Sequence, residues 1–457
     1  MTPLAELARR LFGIGLAAVD PRRLLHKLAF LPEGFCFGEH SFAPRGKLVL
    51  VAVGKAGATM ATAFLERSPR PADAVFVYVP HGSLVPEQAS PHTRFGSHPG
   101  VGAENAVHTA ALVQLLQSLD PADGVLLLLS GGASALLSLP LPGLEVATLD
   151  RLTWELLRRG AGIGELNTVR KHLSQALGGR LATRCPAALF TLVLADVPGE
   201  ELHLVGSGPT LGDPTTREQA LEVLERFGLV GDFPEAVAVL QQPGSETPKP
   251  GDPALGRAVT KLLGSSEDAL AAVARELAAE GFRVQLLTRS LRGEARSVGR
   301  ALGALLATAN AGAAFLAAGE TTVRVRGSGV GGRNLELALA ASLALAGSEH
   351  RCLLAAATDG KDGTSPAAGA VVDGQTLRRG RKARRDPLEA LAANDAWGFF
   401  AGQPEAIVTG PTGTNVADLV IALAAPRREK HLPRQAAGLH LPSPPPSGAA
   451  KRSGGER

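Results

Sequence analysis

Short apolar runs alternate with longer stretches in which Leu and Ala recur at helical spacing. The runs Lys47–Val53, Val75–Val79, Val125–Leu129, Leu189–Leu194, Arg283–Leu287, Ala313–Ala317, Cys352–Ala357 and Leu419–Leu423 predict strands. Several are continuously apolar, as strands covered on both faces are. Helical patterns intervene at Glu104–Gln117, Leu144–Arg159, Arg217–Arg226, Glu267–Ala279, Glu294–Thr308 and Asn334–Ala346. Strand–helix alternation predicts an α/β fold, with Rossmann-like layers around mostly parallel sheets.

Turn-forming residues then divide the chain. Gly and Pro crowd the stretch Pro243–Pro253, which predicts a linker within residues 243–265. It separates an N-terminal α/β unit, 1–242, from a smaller C-terminal one, 266–425. A Pro-, Ser- and Gly-rich tail, 426–457, reads as disordered.

Length and composition narrow the classes. At 457 residues the chain exceeds one ordinary core. No apolar run approaches the roughly 20 residues needed to cross a bilayer, so no membrane partner is expected. Met1–Asp20 reads as an amphipathic helix rather than a signal peptide. Cys36, Cys185 and Cys352 are too scattered for a metal motif or a disulfide framework, which suggests a reducing cytoplasm. The formal charge of +4 is misleading: seven Lys/Arg and two Glu after Ala425 give the tail +5, leaving −1 for the rest. The basic run Arg378–Arg385 has no interleaved aromatics, and aromatics make up only 4% of the chain. Stacking platforms are therefore scarce, and no nucleic-acid partner is expected.

The candidate chemistry sits in small-residue loops after strands. Gly54-Lys-Ala-Gly57 ends the first strand and lacks the Walker spacing, so it is not a P-loop. Lys55 nevertheless projects where open α/β sheets bind ligands. Ser130-Gly131-Gly132-Ala-Ser134 offers backbone N–H groups and hydroxyls for an anion, or serves as a tight turn. It lacks the Gly-x-Ser-x-Gly elbow of Ser-His-Asp hydrolases. Asn167-Thr-Val-Arg170-Lys171-His172 gives a helix a polar face on which His172 reads as a surface histidine. Asp196, at a strand's carboxyl end, is a candidate for Mg²⁺.

Gly327-Ser-Gly-Val-Gly331-Gly332-Arg333-Asn, following Gly319-Glu320, matches a dinucleotide fingerprint literally. The acidic residue expected about 20 positions on is displaced, since Asp359 and Asp362 lie 27 and 30 residues past Gly332. Their acidic–glycine loop reads better as a metal or polar-ligand site. Arg333 adds a planar cationic fork suited to phosphate or carboxylate. Thr409-Gly-Pro-Thr-Gly-Thr-Asn415 is a further such loop.

In this order, Val53-Gly-Lys-Ala56, Leu129-Ser-Gly-Gly-Ala-Ser134, Asn167-Thr-Val-Arg-Lys-His-Leu173, Gly178-Gly-Arg-Leu181, Ser207-Gly-Pro-Thr210, Gly319-Glu-Thr-Thr322, Gly331-Gly-Arg-Asn334, Thr358-Asp-Gly360 and Thr409–Asn415 recur. Together they resemble the glycerate 2-kinase family with a C-terminal MOFRL domain, whose members are sometimes labelled hydroxypyruvate reductase. The resemblance runs from about Leu7 to Leu423. It implies ATP- and Mg²⁺-dependent phosphorylation of D-glycerate at the 2-hydroxyl, in a cleft between two α/β domains. It implies Lys55 and Arg333 as catalytic cations and Asp196 and Asp359 as metal-supporting acids. Gly54, Ser130, Gly131, Gly132, Ser134, Asn167, Arg170, Lys171, Glu320, Gly331, Gly332 and Asn415 are the expected substrate- or phosphate-binding set. Which loop takes glycerate and which takes ATP stays open, and a homodimer is compatible with the sequence.

The chain departs from the family pattern at His98-Pro-Gly-Val-Gly102, Ser365-Pro-Ala-Ala368 and Asp395-Ala-Trp397. The alternatives are an NAD(P)H-dependent hydroxypyruvate reductase and a non-catalytic nucleotide- or metabolite-binding protein.

Overall fold

The computed structural model describes residues 1–197, 201–348 and 350–426. All but the first residue of the expected disordered tail lies outside them.

A small antiparallel sheet, β1 (Leu28–Leu31), β2 (Gly34–Phe37) and β3 (His40–Phe42), precedes the first large one. That sheet contains β4 (Leu48–Val53), β5 (Ala74–Pro80), β6 (Thr93–Gly96), β7 (Gly124–Ser130), β8 (Ala188–Leu194) and β9 (Ala258–Gly264). Its order is β6-β5-β4-β7-β8-β9, and every pair is parallel. The chain moves outward from β4 in one direction, then returns to β7 and moves outward in the other. The carboxyl ends of β4 and β7 therefore flank a topological switch point, where adjacent loops diverge and leave a crevice. Continuous burial of β4 and β7 matches their apolar runs.

The second sheet contains β10 (Arg283–Leu291), β11 (Ala313–Gly319), β12 (Arg351–Ala357), β13 (Gly369–Asp373), β14 (Ala406–Ile407) and β15 (Asp418–Ala424). Its order is β10-β11-β15-β12-β13-β14. The α/β class is as expected, but parallel pairing here is confined to β10 and β11. The last strand, β15, inserts between β11 and β12 and runs antiparallel to both. Asp418 thereby pairs with Gly319 on one side and Ala357 on the other. Only an antiparallel insertion brings a strand's first residue to the edge where its neighbours end.

The lobes are not simply successive in sequence. The expected linker contains β9, which pairs with β8 and completes the first sheet. The helix Pro3–Ala18 packs on the second lobe: a Cβ at Gly15 would lie 3.1 Å from Leu419 and 3.3 Å from Val273. Arg9 donates to the carbonyl of Ala406 at 2.8 Å, and Thr2 donates to Asp373 at 3.1 Å. Residues from both ends of the chain thus build one lobe.

Candidate active site

Strand ends from both sheets meet at a cleft of about 600 Å³. Lys55, Gly131, Gly132, Ser134, Asn167, Arg170 and Asp196 line it from the first lobe, and Glu320 and Arg333 from the second.

At the switch point, the two loops lock each other. Lys55 N–H donates to Gly131 O at 2.9 Å, and Ala56 N–H donates to Ser130 Oγ at 3.1 Å. Ser130 is fully buried, so its hydroxyl shapes the turn rather than facing the cleft. Gly54 adopts φ +117°, and a Cβ there would lie 2.3 Å from Ser130 Oγ. The role of Gly54 is thus close backbone approach. Gly131 is packed equally tightly, against Asp196 and Asn415.

Lys55 Nζ reaches across the lobes to Asp359 Oδ2 at 2.6 Å. Burial pulls its pKa down, but Asp359, with Glu320 and Asp196 beyond, outweighs this and holds it above the ordinary lysine value. A second bond across the lobes runs from Asn415 Nδ2 to Asp196 Oδ2 at 3.2 Å. Burial raises the Asp196 carboxyl, against the pull of Lys55, and Asp359 adds to the rise.

Arg333 is the first residue of the helix Arg333–Leu345. It makes a two-pronged contact with Asp418, Nε to Oδ2 at 2.5 Å and Nη2 to Oδ1 at 2.9 Å. Its Nη2 also reaches Glu320 Oε1 at 2.8 Å. Burial opposes its charge, yet these carboxylates keep the guanidinium well above its ordinary pKa. Glu320 is 46% exposed toward the cleft. Desolvation by its surroundings, then Asp418 and Asp196, still push it up to about 7 against Arg333. Asp362 caps the helix from below, accepting from Asn334 N–H at 3.1 Å and Leu335 N–H at 2.8 Å.

Arg170 is nearly fully buried and donates to Pro99 O at 3.1 Å. Burial lowers it to about 10, against the pull of Asp150. Asn167 Oδ1 accepts from Ser207 Oγ at 2.9 Å, and that hydroxyl lies 2.8 Å from Ser134 Oγ. These bonds fix the polar wall between the helix Ile163–His172 and the Ser130–Ser134 turn.

Two expectations on that helix are overturned. Lys171 points away from the cleft and is buried against Asp213, Nζ to Oδ1 at 3.2 Å. His172 is not a surface residue but fully buried, with Nδ1 2.8 Å from Thr168 O and Nε2 3.3 Å from Glu246. Successive helical residues diverge by about 100°, so Arg170 and Lys171 cannot share one face.

The Gly327–Gly332 loop is also different from its fingerprint. Gly327 N–H donates to Asn394 Oδ1 at 3.0 Å, Gly329 N–H to Ala393 O at 3.0 Å, and Val330 N–H to Asp395 Oδ1 at 3.1 Å. Gly331 N–H donates to Thr364 Oγ1 at 3.3 Å, and a Cβ at Gly332 would lie 2.3 Å from Asp362. These donors are taken by the chain itself, and neither Gly331 nor Gly332 lines the cleft. A pyrophosphate cradle needs such N–H groups free.

Sequence reasoning missed two side chains. His98 lines the cleft, beside the Lys55 stem at Gly132, and neither ring nitrogen hydrogen-bonds within the described residues. Burial, then Lys55 and Arg170, depress it to about 4, so its imidazole is neutral at ordinary pH. Asp418 was hidden because nothing local reveals the insertion of β15. A histidine followed by proline in a loop was the one available signal for His98.

Comparison with known proteins agrees with this architecture. Residues 7–241 match the model for a domain of unknown function, DUF4147, and residues 313–418 match the MOFRL family. A D-glycerate 2-kinase of Thermotoga maritima is 40% identical over 82% of this chain and 90% of its own length. A protein of Agrobacterium vitis described as a putative hydroxypyruvate reductase is 36% identical, over 91% of this chain and 93% of its own. The crystal structure of glycerate kinase from Thermotoga maritima superposes with a TM-score of 0.77 at 37% identity, covering 92% of this chain and 99% of that one. With both family regions in order, and such identity over most of its length, the chain belongs to the glycerate 2-kinase family built from a DUF4147 region and a MOFRL domain.

Proposed function

We propose that this protein is a glycerate 2-kinase that transfers the γ-phosphoryl group of ATP to the 2-hydroxyl of D-glycerate. One observation carries the reading: Lys55 and Arg333, from opposite lobes, line one cleft at the switch point. Phosphoryl transfer asks the protein mainly to position reactants and to stabilise charge on the transferring group. Two cations on opposite walls suit that task. Each is held by carboxylates, so each enters the reaction already oriented.

Asp196 and Asp359 fit a divalent cation. Both are hard oxygen donors: Asp359 reaches Lys55 Nζ at 2.6 Å, and Asp196, whose carboxyl burial raises against the pull of Lys55, lines the cleft. Mg²⁺ ordinarily takes one or two carboxylates from a protein and completes its shell with phosphates and water. When bound there, it would neutralise phosphate charge. Ser134, Asn167 and Arg170 offer hydroxyl, amide and guanidinium to a carboxylate or phosphate. His98 lines the cleft and can hold the substrate hydroxyl by a hydrogen bond, while its low pKa, about 4, makes it a poor base for that proton.

The test is ADP formation that depends on D-glycerate, with phosphorus NMR locating the new phosphate on C2. Lys55→Ala and Arg333→Ala should each lower turnover by about 10²–10³-fold. Near-normal turnover in both variants would overturn the assignment. Oxidation of NADPH on adding hydroxypyruvate would instead support a reductase.

A further inference from the structure

The cleft has a second chemistry besides its charged floor. Leu157, Ala161, Ile163 and Leu166 line it from the first lobe, and Leu291 faces them from the second. Leu157 is 38% exposed and Ile163 52%. Neither belongs to the core beneath, to which Leu152 and Leu156 contribute from the same helix as Leu157. Leu157 ends one helix, Val146–Arg158, and Ile163 begins the next, so the short turn between them brings both aliphatics to one rim. Scattered exposed aliphatics are ordinary, but an apolar wall continuous with a charged floor is how small-ligand sites are built.

This inference rests on the proposed kinase function and divides its two substrates. D-glycerate carries an oxygen on each of its three carbons and has no face that would cover aliphatic side chains. A nucleotide has an apolar, planar ring at one end and phosphates at the other. We propose that the Leu157–Ile163 rim, with Leu291 opposite, is the nucleobase subsite. The phosphates then run toward Lys55 and Arg333, and glycerate occupies the inner polar end near Ser134, Asn167 and Arg170.

Ile163→Asn and Leu157→Gln test this, because both side chains are exposed and both replacements are uncharged. Calorimetry with ADP and, separately, with tripolyphosphate reads the two ends of the site. The expected result is at least a tenfold weaker ADP affinity, about the discrimination that one aliphatic contact supplies. Tripolyphosphate affinity and the KM for D-glycerate should stay unchanged, with melting temperatures at the wild-type value. Equal weakening of ADP and tripolyphosphate, or unchanged ADP affinity with a raised glycerate KM, would overturn the subsite. If ADP affinity falls as expected but the wild type never phosphorylates glycerate, the subsite stands and the kinase reading fails. A wild-type protein that binds no ADP sinks both.

Discussion

Two groups of small residues look alike in this chain and do different work. The Gly54 and Ser130–Ser134 turns follow β4 and β7, while Gly327–Gly332 precedes the helix that begins with Arg333. All are dense in glycine, and each delivers a cation or a hydroxyl. At the switch point, glycine lets two strand ends and a carboxylate from a third crowd together, leaving Lys55, Gly132 and Ser134 facing the cleft. In the second lobe, glycine lets the loop lie on residues 393–395, which occupy its N–H groups. Glycine density reports that something comes close to the backbone. It does not say whether that is a ligand or the chain itself.

The largest expected effect separates packing from chemistry on a single helix. Lys171→Ala leaves Asp213 buried without its partner and should cost about 3–5 kcal/mol in denaturant unfolding. Turnover per folded molecule should stay close to wild type, because Lys171 faces away from the cleft. A turnover loss matching that of an Arg170 variant would return Lys171 to the site.

On the open side of the comparison, His98→Ala should lower kcat by about tenfold, the scale of one hydrogen bond to the reacting hydroxyl. ADP affinity should hold. Unchanged kcat would remove His98 from the reaction.

The two glycine loops can be set against each other directly. In Gly131→Ala the new Cβ would fall 1.8 Å from Asp196 Oδ2 and 2.2 Å from Asn415 Nδ2, so both stability and turnover should drop. In Gly329→Ala it would fall 2.4 Å from Asp395 Cβ, at a position that does not line the cleft. That variant should lose about 1–3 kcal/mol of stability from overpacking while keeping its specific activity. The reverse pattern would invert the comparison.

The smallest effect concerns Glu320, raised to about 7. Above that pH its carboxylate offsets the Arg333 charge; below it, protonation leaves Arg333 freer to attract anions. Sulfate, which stays doubly charged over this range, should therefore bind a few-fold more tightly as pH falls from 8 to 6. Glu320→Gln should flatten the dependence, and an unchanged slope would show that another group sets it.

Much of this was legible from local pattern. Continuous apolar runs predicted β4, β7, β8, β11 and β12, because strands covered on both faces leave no polar positions. Lys55 was legible as a candidate because a lysine set among glycines at a strand's carboxyl end lies where open α/β sheets bind ligands. The edge strands β6, β9 and β14 were not, since half-exposed segments carry little apolar signal. His172 misled, because a charged helical context says nothing of the Asp213 and Glu246 that meet it from elsewhere.

By itself the sequence determined the α/β class, the cations Lys55 and Arg333, and the acids Asp196 and Asp359 as candidates. These depend on residue type and on neighbours a few positions away. Tertiary structure alone decided that Lys55 is held by Asp359 and Arg333 by Asp418, and that Lys171 is buried while Arg170 is not lost to the cleft. It also decided that the N–H groups of Gly327, Gly329, Val330 and Gly331 are already taken. Those outcomes depend on tertiary contacts between residues 33 to 304 positions apart, the Arg333–Asp418 pair through the antiparallel insertion of β15. No local pattern encodes such contacts.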